Sequence, residues 1–472
     1  MDRLPVELIS IIGHGLQELH VSKEPFSYLT ETNKEQDDGW LVHTINSRSD
    51  ICNFRLVSRK FCASSLSTFG HVLGDRVFRI SRVGLEDMHD ISQAESLRHH
   101  ISGLTFGSAV FDDISQNVVL QQILHVLPEP DKSRLESAYA HCHQWQQYQG
   151  VSCAPELTQA LSHFPRLRRL RIVLNDNANM SNHLGGWLGR GDKTMVASAF
   201  TEGVSPELVD DRIYGFVLTD LSWLAPVFAA MKSTGTVMND LSIGCGVALP
   251  PNEVYRLLRK VDMIANLSRL RLEVDPLWLS ERDSYYCSCL DDTFQGLVTL
   301  THLTLSMPRH IGLELDSLAG PTACLLEFLT PLEHLQNLTL RGSWRYSEDH
   351  LINLVSARRE TLRLLSLKDA IMDLGDWGSA ITRLVRLESS VLQHLEVSNM
   401  KTMGQIATDT IILDTPSTSD WQNLVLSVRK AIEERSTCAV YLTSSVGTYL
   451  YTPSKSVDGI ARSEYCLSNP HG

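Results

Sequence analysis

The sequence predicts an α/β chain in which a short helical motif leads into a curved array of strand–helix repeats, with parallel strands on the concave side and helices on the convex side. Three observations carry this. Leu-x-x-Leu-x-Leu stretches recur at Leu267-Leu270-Leu272, Leu300-Leu303-Leu305, Leu335-Leu338-Leu340 and Leu362-Leu365-Leu367, their first leucines 33, 35 and 27 residues apart. Such a recurrence is the mark of stacked leucine-rich repeats. Segments with the apolar period of a helix lie between these stretches, and a separate helical pattern precedes them at the N-terminus. One strand and one helix cannot bury their apolar faces alone, so each repeat must stack on its neighbours.

At the N-terminus, Pro5 suits the first turn of a helix, where a missing N–H costs nothing, and Leu4, Leu8, Ile9 and Ile12 follow on one face. A second helix is predicted over DICNFRLVSRKFCASSL, with Asp50 as N-cap and Ile51, Phe54, Val57, Ser58 and Phe61 at helical spacing. Residues 18–49 between them are polar, mixed in charge and without a period, and read as a loop or disordered insertion. A translated intron running from Val21 to near Arg48 is the other reading of that segment.

The pieces LPVELI and ICNFRLVSRKF resemble the F-box, the small helical motif by which substrate receptors dock on the Skp-type adaptor of cullin–RING ubiquitin ligases. The resemblance covers residues 1–65 and implies that Leu4, Pro5, Leu8, Leu56, Val57 and Phe61 pack within the motif or against the adaptor, with Ile9 and Ile12 of the first helix beside them. The long 18–49 segment departs from the short loop of the family. An ordinary two-helix cap on the array is the plainer alternative, because terminal repeats need an end cap.

Residues 66–112 read as a linker and first repeats, with a strand at Val77–Ser81, a helix through Ser92–Leu97 and a strand at Ile101-x-x-Leu104-x-Phe106. Residues 113–164 are too long for one connection and read as a helical excursion centred on DKSRLESAYAHCHQWQQYQ. Within a solenoid spanning 165–400, further strands are expected at Leu167-Leu170-Ile172, Ile213-Phe216-Leu218, Met238-Leu241-Ile243, the four leucine stretches and Leu392-Leu395-Val397. Residues 175–207, rich in Gly, Asn and Ser, read as a second insertion. Helices are expected over NEVYRLLRKVDMIA, capped by Asn252, and SEDHLINLVSARRE, capped by Ser347. Residues 401–472 close the array with an Asp420-capped helix, a strand and a polar tail after Thr452.

Alternation along a strand sends the residues between the leucines outward. That places Arg169, Arg171, Arg269, Arg271, His302 and Arg341 on the exposed sheet face as candidate substrate-binding residues, since guanidinium forks suit carboxylate or phosphate. The plainer reading is that they solvate the sheet, and Asp240 lies among them.

The formal charge of −13 argues against nucleic acid as the main partner. Ten scattered cysteines read as reduced thiols, and the first residues lack the basic start and cleavage site of a signal peptide. No uncharged stretch is long enough to cross a membrane, so a soluble protein of the cytoplasm, the nucleus or both is expected. No nucleophile elbow, phosphate-cradling loop or dinucleotide fingerprint is present, so neither catalytic residues nor a cofactor are expected. His141-Cys142-His143 and Cys287-Ser-Cys289 lack the second half of a zinc site, so no metal is expected either.

The leading expectation is a non-catalytic substrate-recognition subunit of an SCF-type ubiquitin ligase, bound through a Skp-type adaptor to a cullin–RING assembly and holding a protein substrate on its repeats. In style it is similar to receptors numerous in filamentous fungi. A leucine-rich scaffold unrelated to ubiquitin is the alternative, and an enzyme centred on the helical excursion is a third.

Overall fold

The structure, a computed structural model, describes residues 4–17, 19–21, 41–43, 45–107, 118–148, 152–173, 195–196, 198, 224–244, 266–273, 294–306, 329, 331–342, 344–387, 390–398, 401–403, 412–413, 426, 428–430, 439–444 and 447–451. The chain divides into two compact units, residues 1–247 with 261–263 and residues 248–260 with 264–472.

The first unit opens with α1 (Val6–Gly15), β1 (Leu19–Val21), β2 (Leu41–His43), α2 (Ile45–Leu56), α3 (Arg59–Ser64) and α4 (Leu66–Gly74). It continues with β3 (Val77–Phe78), α5 (Arg82–Gln93), α6 (Glu95–Arg98), β4 (Gly103–Gly107), α7 (Val118–Val126), α8 (Glu129–Tyr148), α9 (Ala154–Ser162), β5 (Arg169–Val173), α10 (Ala225–Ser233) and β6 (Asp240–Gly244). Strands β3 to β6 pair in parallel in chain order, aligning Leu104, Leu170 and Leu241 in one buried row and Phe106, Ile172 and Ile243 in the next. Helices α5, α9 and α10 pack side by side in one layer.

Local chemistry departs from the sequence reading in several places. The second helix is two, because Ser58 adopts an extended backbone and its hydroxyl accepts from the Phe61 N–H at 3.4 Å, capping α3 and ending α2. Asp50 therefore lies inside α2, which starts at Ile45, and Pro5 is the N-cap of α1 rather than its first helical residue. The 18–49 segment is not all loop, since β1 and β2 pair antiparallel and residues 45–49 are helical. Strand β3 stops at Phe78 because Ser81 turns to cap α5, accepting from the Gly84 N–H at 2.9 Å. Gly84 is required there, as a Cβ would lie 2.2 Å from the Arg79 carbonyl oxygen. The helical excursion is also narrower than 113–164: α7 and α8 pack on each other, whereas α9 belongs to the layer with α5 and α10.

The second unit contains β7 (Arg269–Glu273), β8 (His302–Ser306), β9 (Asn337–Arg341), β10 (Arg345–Ser347), α11 (Glu348–Ala357), β11 (Leu364–Lys368), β12 (Ile371–Leu374) and α12 (Trp377–Val385). After these come β13 (His394–Ser398), β14 (Lys401–Met403), β15 (Ile412–Leu413), β16 (Ala439–Ser444) and β17 (Gly447–Tyr451). Its main sheet runs β7, β8, β9, β11, β13, β16 in parallel, with β17 added antiparallel. The register stacks Leu270, Leu303, Leu338, Leu365, Leu395 and Val440 in one ladder and Leu272, Leu305, Leu340, Leu367, Val397 and Leu442 in a second, none more than 2% exposed. Burying each such side chain contributes roughly 1.5–3 kcal/mol, so the ladders contribute substantially to the stability of this unit.

A second sheet, ordered β10, β12, β14, β15, was not expected from the sequence. Strands β10 and β12 follow β9 and β11 after tight turns, where Gly342 (φ 96°) and Asp369 (φ 58°) hold the left-handed conformation. Glycine enters that region without a Cβ penalty, and Asp is among the few other residues that tolerate it. Trp344, just before β10, and Tyr346 within it are each 1% exposed, and Tyr346 meets Trp377 edge-on. The Ser347 cap of α11 is as expected, its hydroxyl accepting from the His350 N–H at 3.2 Å, and Asp376 caps α12 in the same way at Ser379.

The expected strand at Ile213–Leu218, the helix capped by Asn252, the Asp420 cap, Cys287 with Cys289 and the tail after Thr452 lie outside the described residues. Residues 195, 196 and 198 of the second insertion are helical, as are 426 and 428–430 of the closing segment.

Candidate protein-docking surfaces

Two surfaces hold the candidate residues: the N-terminal helices of the first unit and the outward faces of the parallel strands. Helix α1 buries Ile9 and Gly13, and a Cβ at Gly13 would touch the Phe54 ring of α2 at 3.4 Å. The Lys60 ammonium donates to the Leu4 carbonyl, and the Ser47 hydroxyl donates to the Leu16 carbonyl at 2.8 Å. The Phe54 and Phe61 rings meet at a tilt of 57° with centroids 4.8 Å apart, and the Arg55 guanidinium lies 4.0 Å over the Phe69 ring. These contacts fix α1, α2, α3 and α4 as one small helical assembly.

The expected face of Leu4, Leu8, Ile9 and Ile12 is thereby split. Ile9 is fully buried, while Leu8, Ile11 and Ile12 are 47%, 63% and 45% exposed. At 100° per residue those three fall within an arc of about 100°. Leu4 is half-buried and Pro5 exposed. At the junction of α2 and α3, Leu56 is 82% and Val57 54% exposed, whereas Phe61 is buried. So of the eight residues, Ile9 and Phe61 are core, and Val6 and Ile11 are exposed apolar residues that the sequence reading missed. Six of the thirteen large apolar side chains exposed among the described residues, Val6, Leu8, Ile11, Ile12, Leu56 and Val57, belong to this assembly.

The segment before α2 is tied in by hydrogen bonds. The buried His43 ring donates from Nδ1 to Asp75 Oδ2 at 2.7 Å, and the His43 backbone N–H donates to the same oxygen at 2.9 Å. Burial lowers the pKa of the adjacent His71, and His43 and Arg169 lower it further, against a smaller opposing pull from Asp75.

On the sheet faces, positions one, three and five of each strand turn outward. In the first unit this does not free the arginines. Arg169 pairs across the register with Asp240, Nε to Oδ2 at 3.0 Å, and Arg171 is buried beside Ser242. In the second unit Arg269 is exposed and next in register to His302, and Arg271 is half-buried. The His302 Nδ1 lies 2.8 Å from the Thr301 hydroxyl. Arg341 is half-buried between Ser306 and Lys368 in register, and Lys368 pairs with Glu396 at 3.1 Å. The six candidates thus lie on one strand of the first unit and three strands of the second, and on the first of these Arg169 is ion-paired and Arg171 is covered.

His141, Cys142 and His143 lie on α8, where His143 Nε2 is 2.9 Å from the Gln147 side-chain nitrogen one turn on. Among the described residues no group of three or more His, Cys, Asp or Glu comes together, and no helix is long and apolar enough to cross a membrane. Burial pushes the Cys153 thiol up to about 11, with Glu156 adding to the shift, so it is held as a protonated, unreactive group. No family model matches this chain, and no curated protein matches it.

Proposed function

We propose that this chain is a non-catalytic substrate-recognition subunit of an SCF-type ubiquitin ligase, built from an F-box-like helical motif and a leucine-rich solenoid and working in the cytoplasm, the nucleus or both. The observation that carries the proposal is the concentration of exposed apolar side chains on the helices whose sequence resembles the F-box. A contiguous apolar surface on a helix marks a docking site more often than a solvated face. Leu8, Ile11 and Ile12 of α1, with Leu56 and Val57 at the α2–α3 junction, would meet the Skp-type adaptor, while Ile9 and Phe61 hold the motif together. The parallel sheet would hold a protein substrate, raising the local concentration of its lysines near the conjugating enzyme without chemistry of its own.

Co-purification of the full-length chain with a Skp-type adaptor tests this. The wild-type chain is expected to retain the adaptor, and Leu8→Asp with Leu56→Asp to lose it while the chain stays folded. Absence of the adaptor from the wild-type preparation would end the proposal.

A scaffold unrelated to ubiquitin, with the helices as an end cap, has its own observation. Helix α4 buttresses the sheet: the Thr105 hydroxyl donates to the Gly74 carbonyl at 2.8 Å, and a Cβ at Gly74 would lie 2.7 Å from the Gly103 carbonyl oxygen. Retention of wild-type partner binding by the Leu8→Asp, Leu56→Asp chain in the absence of any adaptor would favour that reading.

A further inference from the structure

In the first unit the two loops that enter β4 and β5 carry Arg98, His99, His100, His163, Arg166 and Arg168. The backbone holds these loops side by side, since the Arg168 and Arg169 N–H groups both donate to the Ser102 carbonyl, at 2.9 and 3.1 Å. Their side chains meet as well. The Arg98 guanidinium donates from Nη1 to His163 Nδ1 at 3.3 Å, and because a guanidinium can only donate, the His163 proton sits on Nε2. His99, Arg166 and Arg168 are exposed, and Arg98, His100 and His163 are half-buried.

Other arginines of this unit are matched to carboxylates: Arg76 to Asp87, Arg82 to Glu86 and Arg169 to Asp240. Among the described residues no acid pairs with Arg98, Arg166 or Arg168, and Arg168 Nη1 donates only to the Leu167 carbonyl, at 2.6 Å. Glu95, at the start of α6, and Glu156, on α9, are near in sequence and pair with none of them. The uncompensated charge is felt within the cluster. Burial, and then Arg166 and His99, hold the His100 pKa below its ordinary value, so that ring stays neutral at neutral pH and the guanidiniums supply the fixed charge. Helix ends account for part of the pattern, because His99 and His163 are the C-caps of α6 and α9, where basic groups are favoured. They do not account for Arg166 and Arg168, which lie beyond α9 on the way to β5.

We propose that these two loops form a binding site for a compact dianion of the phosphate-monoester class, free or carried by a partner protein, with Arg98, Arg166 and Arg168 as its charged donors. Adjacent parallel strands lie about 4.8 Å apart, so loops joined at Ser102 gather their charge around one small group rather than along an extended chain. Guanidinium forks match phosphate oxygens with two parallel hydrogen bonds, and the His163 Nε2–H adds a neutral donor. A polynucleotide would need a longer basic stripe. Here the row ends at the Arg169–Asp240 pair toward β6 and at the Arg76–Asp87 pair toward β3. The site goes beyond the ligase reading and does not depend on adaptor docking by the N-terminal helices.

The test is fluorescence anisotropy of the full-length chain with a labelled peptide bearing one phosphoserine among glycines and serines. Its unphosphorylated form, inorganic phosphate as competitor and a single-stranded oligonucleotide are measured beside it. The phosphopeptide is expected to bind saturably, more weakly as salt rises from about 50 to about 500 mM, and the unphosphorylated peptide not to bind. Inorganic phosphate should displace it: displacement near the peptide's own dissociation constant identifies the free ion as the ligand, and displacement only at far higher concentration identifies a phosphorylated segment. Arg166→Glu and Arg168→Glu should each weaken binding by about tenfold or more, and Arg166→Lys by less. Arg82→Glu, at an exposed arginine of α5 in the same unit, should leave it unchanged, and circular dichroism of each variant should match the wild type. Equal binding of the two peptides, no displacement by phosphate, unchanged binding by both glutamate variants, or tighter binding of the oligonucleotide would each overturn the site. Loss of adaptor co-purification with phosphopeptide binding intact would remove the ligase reading and leave this site standing.

Discussion

The N-terminal helices and the leucine ladders use the same residue types to opposite ends. In the second unit every ladder position of the main sheet is buried, from Leu270 through Leu442. In the N-terminal assembly Leu8, Ile11, Ile12, Leu56 and Val57 stay in water although the helices around them are well packed. The ladders satisfy their apolar side chains internally, so those residues carry stability. The helical assembly holds itself with Ile9, Phe54, Phe61 and polar ties, so its remaining apolar side chains are surplus to folding and available for a partner. An apolar residue's role here is decided by whether the fold itself closes over it.

The sharpest way to break this comparison is a pair of substitutions. Leu338→Ala in the central ladder removes a fully buried side chain from a parallel register in which both neighbours, Leu303 and Leu365, are also buried, and should cost about 2–5 kcal/mol. Ile11→Ser on α1 should stay within about 0.5 kcal/mol, as expected for an exposed position. Chemical denaturation of both variants decides. Equal losses would mean that Ile11 is part of a core and that the exposed face of α1 has been misassigned.

A second test concerns what holds the N-terminal assembly in place of a ladder. Asp75 accepts both the His43 ring and the His43 backbone N–H in a buried setting, so Asp75→Ala strands two donors away from water. The expected cost is about 1–3 kcal/mol. The same reasoning bears on residues 21–48: deleting them removes β2, His43 and the start of α2, and should lower the melting temperature at least as much as Asp75→Ala. A deletion that raises stability would instead make the segment foreign to the fold and favour the translated-intron reading.

How much of this was legible in the sequence follows from the length of each signal. Main strands such as Arg269–Glu273 and Asn337–Arg341 announce themselves because two inward leucines per strand repeat across several strands, and the Ser347 cap because its hydroxyl precedes a helical period. Strands β10, β12 and β14 are three or four residues long, too short for a period, and the first two depend on left-handed turns at Gly342 and Asp369. The break at Ser58 was hidden because Ile51, Phe54, Val57 and Phe61 keep helical spacing across it, while the cap that ends the helix is a single hydroxyl. Among the site residues, alternation sets Arg169 and Arg171 apart from the buried Leu170 and Ile172. It cannot show that Asp240 meets Arg169 across the register or that Arg171 is covered, since both depend on which strands become neighbours. For α1, spacing groups Leu8 with Ile9, but the close approach of Gly13 to Phe54 selects which side is buried.

The smallest expected effect probes the same polar ties through pH. Burial, His43 and Arg169 hold the His71 pKa below its ordinary value of 6.5, so the folded state keeps His71 neutral where the unfolded chain would take up a proton. As pH falls through 6.5 the unfolded state binds more protons than the folded one, and stability drops until His71 titrates in the fold. His71 is partly exposed, so solvent screening keeps the effect under about 1 kcal/mol. Denaturation midpoints at pH 7.5 and at pH 5.5, conditions of about one unit either side of the free histidine, should differ for the wild-type chain and differ less for His71→Gln. An unchanged pH dependence in the variant would move the effect to other groups around Asp75, and with it the view that charge ties rather than apolar ladders tune the N-terminal assembly.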